Sequence, residues 1–182
     1  MKRFSLLAVP LVTFSLLLCH AMNANKSLSQ PAAIDLVNAI PDGNHRFCSQ
    51  QPKTTNVAPP DAIIGNCFLF RKTGNQVVGA YYDTRTLGEE SLCLQGRLSD
   101  RLVGEGLELI GGIGRQSIPA KAEGSDLVNW DQEGILKVSN AVRFGKRTLA
   151  GQQIRYRQAI LDLKQLYRYN LGNKLPPTRC IR

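Results

Sequence analysis

Acid–base or nucleophilic chemistry would depend on very few residues in this chain. His45 is the one histidine after residue 24, and it lies in the turn-rich stretch PDGNHR (41–46). Catalysis of the Ser–His–Asp or Cys–His type needs a histidine held beside a nucleophile. A histidine in such a stretch is more typical of an exposed loop, and we interpret His45 in that way.

Paired carboxylates offer a second kind of chemistry, because glycoside hydrolysis uses two carboxyl groups about 5 to 9.5 Å apart. Glu105 and Glu108 lie on one predicted strand at an odd spacing, which directs them to opposite faces. The other candidates fall at strand edges or in loops: Glu89, Glu90, Asp131 and Glu133. Solvated surface charge explains these residues, and a hydrolase whose carboxylates come from separate loops is the alternative.

Basic residues are concentrated at the C-terminal end of the chain, whose formal net charge is +9. Residues 25–142 contain 11 Lys and Arg against 13 Asp and Glu, a balance of −2, whereas residues 143–182 contain 10 against 1, a balance of +9. Such asymmetry favours an anionic partner. The predicted binding strip, interleaved with tyrosines, consists of Arg143, Lys146, Arg147, Arg155, Arg157, Lys164 and Arg168.

Polysaccharide, lipid headgroups and nucleic acid would each suit a basic strip with interleaved tyrosines. Export disfavours nucleic acid, so the leading hypothesis is a non-catalytic domain that binds an anionic or amphiphilic component of the cell envelope. A carrier of a small apolar ligand is a further alternative if the sheet closes as a barrel with an open mouth. No cofactor is predicted.

The first 24 residues have the organisation of a secretory signal peptide. A basic start (MKR) precedes an apolar run of about 15 residues and the small-residue segment CHAMNA (19–24), so we expect cleavage after Ala21 or Ala24. The apolar run is shorter than the roughly 20 residues of a membrane-spanning helix. Lipid attachment at Cys19 is an alternative. We therefore expect the mature protein in the periplasm or outside the cell.

Four cysteines remain after cleavage, Cys48, Cys67, Cys93 and Cys180, and an even number in an oxidising compartment favours two disulfides. In an up-and-down meander Cys67 and Cys93 would lie two strands apart, roughly 10 Å, which is too far for a bridge. The preferred pairing is Cys48 with Cys67 and Cys93 with Cys180. Because no C-x-x-C pair occurs and His45 is the only available histidine, no metal site is predicted.

Short apolar runs separated by polar turns predict an antiparallel meander after residue 64. The proposed strands are 66–72, 76–83, 91–98, 101–110 and 135–144, with a long loop at 111–126. The first hairpin is apolar on both faces, so we expect the C-terminal segment to cover it. Residues 25–64 read as an irregular segment with a short helix near 32–39, and residues 65–182 as a β domain with a basic C-terminal part.

A short pattern that ends in glycine recurs in the proposed return strands. NQVVG (75–79) matches DRLVG (100–104) at an offset of 25 residues, and RTLAG (147–151) is a fainter copy. Glycine inside strands marks bulges or sharp coiling. The predicted fold class is therefore all-β, a meander of hairpins that coils toward a small barrel or an open sheet. Residues 153–169 fit a strand to about Leu161 and then a helical turn through Tyr167, so an α+β fold with a short C-terminal helix is the alternative.

Three segments together resemble a group of uncharacterised exported proteins of cyanobacteria. They are NCFLFRKTGNQVVGAYY (66–82), GRLSDRLVGEG (96–106), and RYRQAILDLKQLYRY (155–169) with the following LPPTRC (175–180). The similarity covers about half of the chain. It implies export and assigns no activity.

Overall fold

The computed structural model of the protein describes residues 35–52, 63–86, 90–111, 117–118 and 120–180. Several features of the sequence lie outside these residues, namely the predicted signal peptide with Cys19, the beginning of the predicted helix (32–34), residues 53–62, Glu89, and the glycine-containing start of the predicted loop (112–116).

One antiparallel sheet of nine strands dominates the described residues. In chain order the strands are β1 (Gly43–Cys48), β2 (Asn66–Thr73), β3 (Gln76–Asp83), β4 (Ser91–Leu98), β5 (Leu102–Ile110), β6 (Val128–Asn129), β7 (Leu136–Thr148), β8 (Gly151–Leu161) and β9 (Tyr167–Tyr169). In space the order is β6-β7-β8-β5-β4-β3-β2-β1-β9. The predicted all-β class is confirmed, in the form of an open sheet.

A single helical turn, α1 (Leu36–Ala39), precedes the sheet. The side chain of Asp35 caps it by accepting a hydrogen bond from the Val37 N–H at 3.0 Å. Pro41 follows two residues after the helix and disfavours its continuation. Three short 3-10 turns complete the helical content of the described residues, at Thr84–Thr86, Ala120–Glu123 and Leu163–Gln165.

Two strands, β1 and β9, were not predicted from the sequence. Gly43–Cys48, interpreted as a loop, is β1, because each of its residues pairs with β2 from Gly43–Lys72 to Cys48–Cys67. The predicted strand up to Leu161 is correct, but the helical turn after it is only Leu163–Gln165, and Tyr167 begins β9. Pairing with distant segments outweighs weak local preference at both places.

The connection between β8 and β9 requires that the sheet coils strongly. Six steps of about 4.8 Å separate these strands in the sheet order, or about 29 Å across a flat sheet. The chain from Leu161 to Tyr167 can span at most about 22 Å when fully extended. The two sides of the sheet must therefore curve toward each other, although β6 and β9 remain its edges.

Gly104 shows how the strands accommodate this coiling. A Cβ atom at Gly104 would fall inside the contact distance of the Gln95 carbonyl oxygen and the Gly96 Cα on the neighbouring strand. Only glycine therefore permits this approach of β5 to β4. The glycine repeat predicted sharp coiling in the return strands, and Gly79 and Gly104 lie inside β3 and β5.

Side chains from the inner face of the coiled sheet fill the main core. Large members that are fully buried are Phe68, Phe70, Tyr81, Leu92, Leu102, Leu136, Ile154, Tyr156 and Leu161. Leu36 and Ile40 near the helix and Trp130 after β6 pack into the same cluster. Because these side chains occupy the interior, the inner face of the sheet is a packed core.

A smaller apolar cluster covers the outer face of the first hairpin. It contains the Cys48–Cys67 pair, Ile63, Leu69 and Tyr82, and the C-terminal residues Tyr169 and Leu171 pack against it. The expectation that the C-terminal segment covers this hairpin is therefore correct.

Two disulfides link the chain with the preferred pairing. Cys48 and Cys67 are directly opposite in β1 and β2, with a Cα–Cα distance of 4.0 Å, and both are fully buried. Cys93 on β4 forms a disulfide with Cys180, with a Cα–Cα distance of 5.4 Å. This bond fixes the C-terminal tail (residues 172–180) on the outer face of the sheet. Two disulfides are compatible with an oxidising environment.

Candidate functional site

The β7–β8 hairpin carries five of the seven residues of the predicted basic strip: Arg143, Lys146, Arg147, Arg155 and Arg157. No acidic residue occurs in the sequence from Arg143 to Leu161, so this segment has a formal charge of +5. Lys146 and Arg147 are exposed beside the turn of the hairpin. This end of the hairpin is therefore strongly cationic.

Strand register distributes these cations over both faces of the sheet. Arg143 is paired with Ile154 and Val142 with Arg155, so Arg143 and Arg155 point to opposite faces. Arg157 is exposed at a β-bulge, where two residues of β8 oppose Glu105 alone. The five residues surround the hairpin and do not form a strip on one face.

Lys164 and Arg168 lie apart from the hairpin. Lys164 is exposed in the 3-10 turn Leu163–Gln165, and Arg168 is exposed on β9 opposite Phe47. Both residues follow Leu161, which is the end of β8 opposite the hairpin apex. The structure thus divides the seven residues into a hairpin group and a separate pair.

Leu149 is the apex of the hairpin and is completely exposed, with a relative accessibility of 106%. Its neighbours Lys146 and Arg147 are also exposed. The turn is held by the Thr148 hydroxyl, which donates a hydrogen bond to the Gly151 carbonyl oxygen at 3.2 Å. A large apolar side chain is therefore presented to solvent with two cations beside it.

Gly151 allows the hairpin to pass close to the end of β5. Its φ is +131°, and a Cβ atom there would fall inside the contact distance of the Ile110 carbonyl oxygen. Neither the backbone conformation nor the space suits another residue. This glycine therefore positions the hairpin apex relative to β5.

A groove of about 880 Å³ runs along the outer face of the sheet between the hairpin apex and the C-terminal tail. We call it the tail groove. Its apolar lining includes Leu107, Leu109, Leu149, Leu175 and Pro177, and the Cys93–Cys180 disulfide also lines it. Leu109 and Leu175 have relative accessibilities of 45% and 76%, so the groove exposes considerable apolar surface.

A second groove, of about 850 Å³, is also lined by the tail, and we call it the arginine groove. It contains the exposed residues Arg71, Arg97 and Arg179 together with Glu105 and Val103. A void of about 10 Å³, lined by Leu107, Glu105, Arg155 and Cys180, shares lining residues with both grooves. The tail therefore contributes to two separate grooves on one face of the sheet.

Arg155 is directly opposite Leu107 of the tail groove in the register of β5 and β8. Its guanidinium lies 4.2 Å from the centroid of the Phe144 ring, a cation–π contact. Within the described residues it forms no salt bridge. Its guanidinium therefore lies toward β7, and Arg155 lines the small void and not the tail groove.

The carboxylate of Glu108 is part of the core. Glu108 is 2% exposed and accepts hydrogen bonds from Trp130 Nε1–H at 3.0 Å and from the Tyr156 hydroxyl at 2.7 Å. A buried carboxylate needs such donors to offset its loss of solvation. Glu108 therefore links the inner face of the sheet to Trp130. Among the described residues, one carboxylate residue lines each groove, Glu108 in the tail groove and Glu105 in the arginine groove.

Asp131 has a similar structural role in the loop between β6 and β7. It accepts hydrogen bonds from the Leu136 N–H at 2.8 Å, the Ile135 N–H at 3.2 Å and the Tyr81 hydroxyl at 2.9 Å. Burial, with the negative charge of Asp131, raises the pKa of Tyr81 far above its usual value. The phenol therefore remains a donor to Asp131.

His45 is a buried residue of β1, and its interpretation as an exposed loop residue is wrong. It is 5% exposed, its Nε2 lies 2.8 Å from the Pro41 carbonyl oxygen, and its ring centroid is 5.2 Å from that of Phe70. Burial lowers its pKa, and the positive charges of Arg168 and Lys72 act in the same direction. The geometry gives His45 a packing role.

The apolar residues of the tail groove were not recognised from the sequence. Leu149 and Leu175 occur singly among polar residues, and only the tertiary structure brings them beside Leu107 and Leu109. A single leucine within the basic segment KRTLAG (146–151) was the one available signal for the hairpin apex.

No family model, curated protein or solved structure matches the chain. Among the described residues, no helix has the length and apolar character needed to span a membrane. The same part of the chain contains no group of three or more His, Cys, Asp or Glu residues that could hold a metal ion.

Proposed function

We propose that the protein is an exported, non-catalytic domain that binds the anionic surface of a membrane through the apex of its β7–β8 hairpin. The observation that carries this proposal is the complete exposure of Leu149 next to Lys146 and Arg147. An apolar tip with adjacent cations suits the boundary between lipid headgroups and acyl chains.

Export is supported by the sequence pattern of the first 24 residues and by the two disulfides. Exported proteins meet lipid surfaces and polysaccharides, which are the anionic components of cell envelopes. The formal charge of +5 between Arg143 and Leu161 would attract either of them.

The exposed leucine favours lipid over polysaccharide. Burial of a leucine side chain contributes roughly 1.5–3 kcal/mol, and each Lys or Arg near an anionic lipid surface about 1 kcal/mol. Lys146, Arg147 and Leu149 together would give reversible attachment that weakens with ionic strength. A polysaccharide would use the cations and leave Leu149 in water.

Sedimentation with vesicles tests this proposal. We expect the mature protein to bind phosphatidylglycerol vesicles much more strongly than phosphatidylcholine vesicles, with binding that decreases as salt is added. The double variant Lys146→Glu/Arg147→Glu should abolish the preference for phosphatidylglycerol. Leu149→Ser should weaken binding several-fold, because the apolar contribution is lost.

Matched controls make the same changes elsewhere on the surface. Arg97→Glu/Arg101→Glu reverses two exposed charges near the β4–β5 turn, which lies at the opposite end of β5 from the hairpin apex. Leu127→Ser removes another exposed leucine. The proposal is wrong if these controls weaken binding as much as the hairpin variants, or if the wild-type protein does not distinguish the two lipids.

A further inference from the structure

We propose that the arginine groove binds an acidic polysaccharide, whose carboxylates pair with Arg71, Arg97 and Arg179. This inference goes beyond membrane attachment, because none of the described residues that line this groove belongs to the β7–β8 hairpin. The three arginines are also distinct from the basic strip that the sequence predicted.

Strand register places two of the arginines on one face of the sheet. Residues directly opposite each other in paired strands share a face, and Arg71 is connected in this way through Val78 to Gln95 on β4. Arg97 follows Gln95 by two residues and therefore points to the same side. Because Arg71 alternates with Phe70, which is fully buried in the main core, this side is the outer face.

The spacing of the arginines suits a ligand with several anionic groups along a chain. Arg71 and Arg97 lie two strands and two residues apart, so their Cα atoms are about 12 Å apart. Arg179 belongs to the tail, one residue before the disulfide-bonded Cys180. Each guanidinium is a planar fork that recognises a carboxylate through two hydrogen bonds. Three separate forks therefore suit a polymer with repeated carboxylates better than a single small anion.

The positive charges of the groove are not neutralised within the described part of the chain. Three arginines line the groove against one carboxylate residue, Glu105, which leaves a formal charge of +2. The salt bridges found among the described residues join other side chains. All three guanidinium groups are thus available to the carboxylates of a ligand.

The other lining residues suit a sugar. Two threonine hydroxyls and two glutamine amides lie among the arginines, namely Thr73, Gln76, Gln95 and Thr178. Such groups both donate and accept hydrogen bonds, as the hydroxyls of a sugar do. Val103 is 45% exposed in the same groove and offers an apolar surface to the carbon-bearing face of a sugar ring.

An acidic peptide is the competing ligand. The groove lies on a face of the sheet, and each of the strands β2 to β5 is paired with a neighbour on both sides, so a peptide cannot join them as an additional strand. Side chains alone would hold it. A flexible peptide then loses more conformational entropy on binding than a stiff chain of sugar rings, which favours the polysaccharide.

The arginine groove and the hairpin apex lie toward opposite ends of β5. Val103 lines the groove near the start of this strand, and Ile110, seven residues later, is beside Gly151 of the hairpin. Seven residues of a strand span about 23 Å, which is more than twice the screening length of about 8 Å at physiological ionic strength. The charges of the two sites therefore act independently of each other.

The Cys93–Cys180 disulfide positions Arg179 at the groove. Among the described residues, no hydrogen bond or salt bridge joins residues 172–180 to the sheet, whereas the disulfide does so covalently. Cys93→Ser/Cys180→Ser should therefore lower polysaccharide affinity as much as Arg179→Gln does. The two changes combined should weaken binding no further than either alone, because both remove the same contact.

Calorimetric titration with three hexamers in calcium-free buffer tests the inference. The probes are hexagalacturonate, its fully methyl-esterified form and hexaglutamate. We expect hexagalacturonate to bind most tightly, with an affinity that decreases as salt is added. The ester has the same sugars without the charges and should bind at least about tenfold more weakly, because three ion pairs are lost. Hexaglutamate should bind several-fold more weakly than hexagalacturonate.

Single substitutions identify the arginines that bind. Arg71→Gln, Arg97→Gln and Arg179→Gln should each lower hexagalacturonate affinity about two- to fivefold, the range of an exposed ion pair. Arg101→Gln is the matched control, because Arg101 is exposed between β4 and β5 but does not line the groove. Glu105→Gln should raise the affinity by a small factor. Thermal unfolding of each variant verifies that it is folded.

The inference is overturned if hexagalacturonate does not bind, if its methyl ester binds as tightly, or if Arg101→Gln weakens binding as much as the groove variants. Hexaglutamate that binds as tightly as hexagalacturonate would identify an acidic peptide as the ligand and would overturn it as well.

The membrane proposal and this inference fail in different experiments. Lys146→Glu/Arg147→Glu should abolish the preference for phosphatidylglycerol vesicles and leave hexagalacturonate affinity within about twofold. Arg71→Gln/Arg179→Gln should weaken hexagalacturonate binding and leave vesicle binding unchanged.

Discussion

The hydroxyl of Tyr156 donates a hydrogen bond to Glu108 Oε2 at 2.7 Å, and both residues are buried on the inner face of the sheet. Tyr156 belongs to β8 and Glu108 to β5, so this bond joins neighbouring strands inside the core. Trp130 donates to the same oxygen. A carboxylate that the sequence offered as a catalytic candidate thus organises the packing of two aromatic residues.

Tyr156→Phe should lower the free energy of unfolding by about 1.5–3 kcal/mol, because a buried hydrogen bond to a charged group is lost while the ring remains. Urea denaturation followed by fluorescence measures the change. Tyr167→Phe, at an exposed tyrosine of β9, is the matched control and should stay within about 0.5 kcal/mol of the wild type. Equal effects of the two substitutions would contradict this role of Tyr156.

His45 should make the protein less stable in mild acid. The folded pKa of His45 lies below its usual value of 6.5, so the unfolded chain binds more protons as the pH falls through that value. The free energy of unfolding should therefore decrease as the pH falls below about 6.5, and the loss should be complete below the folded pKa. Urea midpoints measured from pH 8 to pH 5 test the sign.

The variant His45→Gln identifies the group responsible, because it removes the titrating ring. It should be less stable at pH 8 but show a smaller decrease toward pH 5. If the wild type and the variant lose stability in parallel over this range, another group is responsible.

Mild reduction should open the two disulfides in a fixed order. Cys93 and Cys180 are partly accessible, whereas Cys48 and Cys67 are fully buried between paired strands. Brief treatment of the folded protein with a dithiol, followed by alkylation and mass spectrometry, should label Cys93 and Cys180 first. Earlier labelling of Cys48 or Cys67 would show that the first hairpin opens more readily than the tail.

Gly151→Ala should destabilise the protein by about 1–3 kcal/mol, because it combines a disfavoured φ of +131° with a clash at the Ile110 carbonyl. Gly74→Asn is the control, since Gly74 has a φ of +58° with no atom near its Cβ position, and asparagine tolerates that conformation. Thermal unfolding compares the two. Similar melting temperatures for both variants would mean that the hairpin shifts to accommodate a Cβ atom.

Much of the sheet was predictable because its central hairpins are local. The strands β2 to β5 follow one another with short connections, so apolar runs and turn residues define them without knowledge of distant segments. The same meander geometry excluded a Cys67–Cys93 bridge, and the observed disulfides agree with the preferred pairing. Neither β1 nor β9 was predictable in this way, because each is a strand only through its pairing partner.

The sequence by itself determined the all-β class, the four cysteines after residue 24 and the basic C-terminal end, since all three follow from residue type and short-range order. Only the tertiary structure decided that Arg143 and Arg155 face opposite sides and that Leu107, Leu109, Leu149 and Leu175 line one groove. Strand register and coiling set those positions, and both depend on contacts between residues far apart in the chain.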